Sequence, residues 1–227
     1  GQKGEEQKEE SPARRESLIK FSFAVPPEEL VAGGRSPARL KFPITHNRVS
    51  PEHMMVFKRE YATLELAWQA ILDVASIGRS QLVKDTGNSA WLGKLLVDDR
   101  CELARRGAAA VLAFKALMGG WLGASTSRAL PVARARELVA ILAAKPIPVP
   151  LHPFYADYAS NLAELLKRYH DRVDAVYYLE DGPFASRAPE LAGLLGAKMR
   201  PARGYSALLE MAAERVREAL AGDACRF

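Results

Sequence analysis

The sequence predicts an α+β protein: a ββαββα half with a largely antiparallel four-stranded sheet, followed by a smaller α/β half. Three observations predict it. Runs of alternating apolar and polar residues recur between Leu18 and Val97, broken by prolines and glycines. Apolar residues at helical spacing intervene in two longer stretches of the same region. Further on, Val173 to Leu179 is apolar at nearly every position, as a strand buried on both faces must be.

Residues 1–16 are polar, lack an apolar face and are expected to be a disordered tail. The first strand is Leu18 to Val25, stopped by Pro26 and Pro27, and residues 28–38 read as a loop through Gly33, Gly34 and Pro37. The second strand is Arg39 to Thr45. A helix is expected from about Val56 to Ile77, because Tyr61, Leu64, Trp68, Ile71, Leu72 and Ala75 recur at its period and Gly78 stands at its end. Gln81 to Thr86 and Ala90 to Val97 read as a hairpin around Gly87-Asn88. Asp99 then opens a second helix as its N-cap, with Glu102 three positions on and Gly119-Gly120 at the end.

The Gly-, Ser- and Thr-rich stretch 121–130 is the expected linker between a nucleic-acid-binding domain (17–120) and an α/β domain (131–227). The second half reads as a helix from Val132 to Ala144, a proline-punctuated run from Pro146 to Pro153, and a helix from Tyr155 to Tyr169. The strand Val173 to Leu179, a short helix at Leu191 to Leu195, an extended piece at Lys198 to Pro201 and a helix from Tyr205 to Leu220 complete it.

The formal charge of +5 and a pI near 9.2 are mildly basic, and the first twenty residues cancel, so the excess belongs to the folded body. Such a balance suits anionic partners and also solubility. Cys101 and Cys225 are too few and too far apart to suggest a disulfide framework or a zinc site. No apolar run approaches the roughly 20 residues of a membrane span, and a cytoplasmic protein without a membrane partner is expected. Abundant Arg with scarce Asn, Gln and Cys suits a thermophile.

One lysine falls in each expected strand of the first half: Lys20, Lys41, Lys84 and Lys94. Alternation sets Lys20 against the stripe Ile19, Phe21, Phe23 and Val25, so the stripe can face a core while the lysine faces outward. Lys41 and Lys94 stand against similar stripes, whereas the strand of Lys84 is ambiguous. If the four strands pair, they make one basic open face, on which Leu18, Leu92 and Leu96 share the lysines' side. Burying a leucine gains roughly 1.5–3 kcal/mol, so such a face expects a cover: the second half, another subunit, or the bases of an unpaired strand. Arg48, Phe57, Lys58, Arg59 and Tyr61 add a basic and aromatic cluster that could extend a phosphate track with a stacking ring, or be core anchors flanked by solvated charges.

The first half resembles the Thermo-DBP-related single-stranded nucleic-acid-binding proteins of hyperthermophilic archaea. The likeness lies in the ββαββα order and in LELAWQAILDVASIGRSQLVKDTGNSAWLGKLL, Leu64 to Leu96, within residues 18–120. It implies non-catalytic, sequence-tolerant binding of single-stranded DNA, or RNA, in a basic and apolar cleft, as a homo-oligomer.

Two other readings stay open. Val173 to Gly182 ends in Glu180 and Asp181, where α/β proteins bind ligands or metals, and with Ser186 it resembles a sugar-phosphate site lacking the expected phosphate loop. Alternatively, the lysine and leucine face is a subunit interface of an assembly protein. Leu191 to Gly196 resembles a homing-endonuclease helix but lacks its terminal acid. His46, His53, His152 and His170 show no metal-ligand spacing, and no GxGxxG, Walker loop or nucleophile elbow occurs, so no catalytic set, metal or cofactor is expected. Arg200, Arg203, Arg215 and Arg217 could form a second basic patch, but Arg215 and Arg217 alternate with Glu214 and Glu218, so a salt-bridged helix face is the expectation.

Overall fold

The structure is a computed structural model; it describes residues 17–33, 39–46, 55–62, 65–79, 96–119, 134–222 and 225, with 39–46 and 55–62 described by backbone. In chain order its elements begin with β1 (Ile19–Phe21), α1 (Glu28–Ala32), β2 (Arg39–His46), β3 (Met55–Ala62), β4 (Ala70–Leu72) and α2 (Arg100–Met118). They continue with β5 (Val139–Ala143), α3 (Tyr158–Arg168), β6 (Val173–Leu179), α4 (Ala188–Leu195), β7 (Met199–Ala202) and α5 (Tyr205–Ala221).

The apolar run of β6 forms the centre of a three-stranded sheet, antiparallel to β5 and parallel to β7. A strand with neighbours on both edges and layers on both faces must be apolar throughout, and β6 is buried at five of its seven positions. On one face lie α2 and α5, with Val111, Leu208, Leu209, Ala212 and Val216 packed against Ala175, Tyr177 and Leu179. On the other lie α3 and α4, where Leu162, Leu166, Leu191 and Leu195 close over Val173, Val176 and Phe184.

Helix α2 begins and ends where its residues dictate: the Asp99 carboxylate accepts the Cys101 N–H at 2.8 Å, and Gly119 is the C-cap. It crosses α5 closely because Gly107 has no side chain; a Cβ there would stand 2.5 Å from Leu220 Cδ1 and 2.9 Å from Val216 Cγ1. The start of α2 and the residue just beyond α5 are joined by a Cys101–Cys225 disulfide. Sequence distance made that pair look unrelated; the packing of α2 on α5 brings the two cysteines together.

Several expectations are corrected. The helix expected over Val56 to Ile77 is instead two strands and a 3₁₀ turn: β3 pairs with β2 from Arg39↔Ala62 to His46↔Met55, and β4 pairs with β1 from Ile19↔Leu72 to Phe21↔Ala70. Pairing with partners distant in sequence outweighed helical spacing, which is a local signal. Gly78 still marks a stop, at φ +74° in the turn after the 3₁₀ residues Val74–Ser76. The helix expected over Val132 to Ala144 is strand β5, whose alanines on either side of Ile141 and Leu142 concealed the strand pattern. The loop expected over 28–38 opens as α1. The four-stranded antiparallel sheet does not form among the described residues: β1–β4 and β2–β3 are separate two-stranded sheets. The expected hairpin of 81–97, apart from its last two residues, and the expected linker 121–130 lie outside the described residues.

Candidate nucleic-acid interface

Lys20 sits in β1, exposed and in register with Ile71. Alternation puts Ser22 on the same face, and its partner across the ladder is Gln69, which donates its backbone N–H to Ser22 Oγ at 2.8 Å. Both reach the second half of the chain. Ser22 Oγ lies 2.9 Å from His152 Nε2, and the Gln69 amide donates to the carbonyls of Pro150 and Leu151 at 3.0 and 2.9 Å. One end of the Lys20 face is therefore covered by the segment around His152, while Lys20 and Ile71 (46% exposed) remain at the surface.

The β2–β3 ladder sets Lys41 across from Glu60 and Pro43 across from Lys58, so Arg39, Lys41 and Lys58 recur at positions of one face. Phe57, Arg59 and Tyr61 take the alternate positions, across from Ile44, Phe42 and Leu40. Register thus separates two of the expected phosphate contacts from the expected stacking rings. Arg48, Lys84, Leu92 and Lys94 lie outside the described residues. Leu96 is 58% exposed, and its N–H donates to the Gly78 carbonyl at 2.8 Å.

On the other face of β1 the stripe expected to enter a core stays at the surface: Phe21 is 55% and Phe23 88% exposed. A strand of three residues paired with one neighbour is too small to bring a layer over its whole stripe. What it does reach is aromatic: Phe21 lies 5.8 Å from the Trp68 ring and 5.9 Å from Phe114 on α2, and Trp68 stacks on Phe114 at 6.4 Å. Trp68 and Phe114 were missed as surface-forming residues. The alternation of Phe21 and Phe23 was the legible signal, but it pointed equally well inward.

Of the two carboxylates at the end of β6, Glu180 has a partner in the fold. Glu180 pairs with Arg203 at 2.9 Å, and Ser186 Oγ donates to the Pro183 carbonyl at 2.9 Å. The group that organises this loop is Glu137, which accepts the Tyr158 hydroxyl at 2.6 Å, the Phe184 N–H at 2.7 Å and the Leu138 N–H at 3.1 Å. Burial, and then this carboxylate, push the Tyr158 phenol well above its ordinary range, so it stays a donor. No motif announced Glu137. Among the described residues no group of His, Cys, Asp and Glu could hold a metal ion, and no helix is long and apolar enough to cross a membrane. On α5, Arg215 and Arg217 pair with Glu218 and Glu214 as their spacing predicts.

A family profile described as "CRISPR-associated negative auto-regulator DevR/Csa2" matches residues 5–163, well over half of the sequence. The chain belongs to the DevR/Csa2 family. Curated relatives agree: a "CRISPR-associated protein Cas7/Cst2/DevR" of Methanocaldococcus jannaschii is 30% identical over 202 residues, covering 82% of this chain and 60% of the relative. A protein of the same description from Thermoproteus tenax is 36% identical over 171 residues, covering 69% of this chain and 48% of the relative. The chain therefore spans about half to three-fifths of the length of these relatives. Membership in DevR/Csa2 overturns the resemblance to the Thermo-DBP-related proteins. The stretch that suggested it, Leu64 to Leu96, lies inside the DevR/Csa2 match, and its expected helix is strand at Ala70–Leu72.

Proposed function

We propose that this DevR/Csa2 family chain is a non-catalytic, RNA-binding subunit of a CRISPR-associated assembly, working in the cytoplasm beside further copies of itself. The observation that carries the reading is the family match over residues 5–163, which contains every cationic strand of the first half. Its relatives are named as CRISPR-associated Cas7/Cst2/DevR proteins, and a Cas7-type subunit holds CRISPR RNA within a multi-subunit complex. In this reading Lys20, Lys41, Lys58, Arg59, Arg48, Lys84 and Lys94 contact phosphates, while Phe57, Tyr61, Leu92 and Leu96 pack against bases. The mildly basic charge supports it, since phosphate contacts supply most sequence-tolerant affinity. A guide-RNA role replaces the single-stranded DNA preference, which rested on the overturned resemblance.

Fluorescence anisotropy with labelled single-stranded RNA, single-stranded DNA and duplex of one length, across a salt series, tests this. RNA is expected to bind best, with affinity falling steeply with salt. Lys20→Ala and Lys41→Ala should each flatten the log–log salt slope by about 0.7. Absence of binding at low salt, or a preference for duplex, sinks the proposal; tighter binding of DNA than RNA restores the DNA reading.

A further inference from the structure

Phe23 is 88% exposed, yet its backbone is held on both sides. Before it, the Ser22 N–H donates to the Gln69 carbonyl at 2.9 Å; after it, Val25 and Ala67 exchange both backbone hydrogen bonds, at 3.0 and 2.7 Å. Between these anchors Phe23 and Ala24 stand opposite Trp68 alone, a two-against-one bulge of the kind that re-aims side chains beside functional sites. The Ser22 hydroxyl also donates to the Phe23 carbonyl at 3.1 Å. Two residues earlier, Phe21 is half-exposed on a floor made by Trp68 and Phe114. Two positions along a strand advance roughly 6.6 Å, so each ring is separately accessible.

We infer that Phe23, with Phe21 behind it, is a stacking platform for unpaired bases of a single nucleic-acid strand, a site distinct from the cationic positions proposed above and resting on that nucleic-acid reading. A protein partner fits less well. Two phenyl rings offer about 300–500 Å², against roughly 800 Å² that each side of a stable protein interface contributes. Alternate aromatics on one face of a strand match the chemistry of an unpaired nucleic-acid strand, whose flat bases stack on exposed rings.

The test compares the full chain with Phe23→Ala and Phe23→Tyr, using labelled single-stranded RNA and an oligomer of the same length with abasic positions. Because the ring is in water, neither variant should disturb folding, which circular dichroism checks. Phe23→Ala is expected to weaken RNA binding roughly 5- to 150-fold with the salt slope unchanged, Phe23→Tyr to bind as the parent does, and the alanine deficit to vanish on abasic RNA. Equal affinity of Phe23→Ala and parent overturns the platform while leaving the RNA reading intact. So does a deficit that persists on abasic RNA, or a fall in oligomer mass on Phe23→Ala, which would make the ring a subunit contact. A parent chain that binds no RNA removes both readings together.

Discussion

Gly107 shows how far one residue governs the helix pair. At this glycine α5 comes so close to α2 that a Cβ would overlap Leu220 and Val216. Gly107→Val is expected to lower the urea midpoint by an amount equal to about 1–3 kcal/mol, the usual cost of overpacking a well-filled core; an unchanged midpoint would mean the helices slide apart freely. Asp174 makes a second residue-scale statement. The Arg215 guanidinium grips it with two bonds of 2.8 Å, and that hydrogen bonding, ahead of the opposing effect of burial, holds the carboxyl below its ordinary range. A depressed folded-state value contributes stability above the unfolded value near 3.9 and loses it as pH falls further. Between pH 7 and pH 5 the stability gap between the parent and Asp174→Asn should stay constant; below about pH 4 it should close. A gap that persists to pH 2 would show that the pair contributes through packing alone. The residues involved were partly legible: Arg215 stands in an alternating charge pattern, but its main partner lies on β6, 41 positions away.

At the scale of elements, the parts that were legible share a cause. Helix α2, strand β6 and helix α5 carry their own signals, from the Asp99 cap, the unbroken apolar run and the amphipathic period. β3, β4 and β5 do not, because their identity depends on partners: Met55–Ala62 is a strand through pairing with β2, and Val139–Ala143 through pairing with β6. The disulfide belongs to this scale too. It closes a loop of 124 residues between the start of α2 and the end of α5. Loop-closure entropy for such a span predicts about 4–5 kcal/mol, and measured gains usually fall short. Thermal melts with and without reductant should therefore differ by several degrees, with Cys225→Ser melting at the reduced value in both conditions. Coincident melts would show that α2 and α5 hold without the staple.

For the whole molecule, the packing of α2 onto α5 joins material from both halves of the chain in one core. Phe114, Leu72 and Val74 pack against the same cluster as Leu208, Leu209 and Val216. The DevR/Csa2 match ends at residue 163, but this core draws on residues as far as Leu220. A chain cut after 163 loses β6, β7 and α5 and is expected to show no cooperative unfolding transition; a sharp transition would mean the matched region folds alone. A milder probe is Leu208→Ala, at a fully buried position, where a loss of about 2–5 kcal/mol is the usual cost of the cavity.

Short-range chemistry in the sequence encodes a mixed α/β protein, the limits of α2 and α5, the buried strand at the centre of the sheet, and the lysines of β1 and β2. Those features follow from caps, period and composition, which act over a few residues. Contacts across the folded chain settle which strands pair, that Lys20 and Lys41 lie in separate ladders, that Cys101 meets Cys225, and that Phe23 stands in water on a bulge. Each of those depends on contacts between positions tens of residues apart, and alternation along a strand cannot say which of its two faces the rest of the chain will cover.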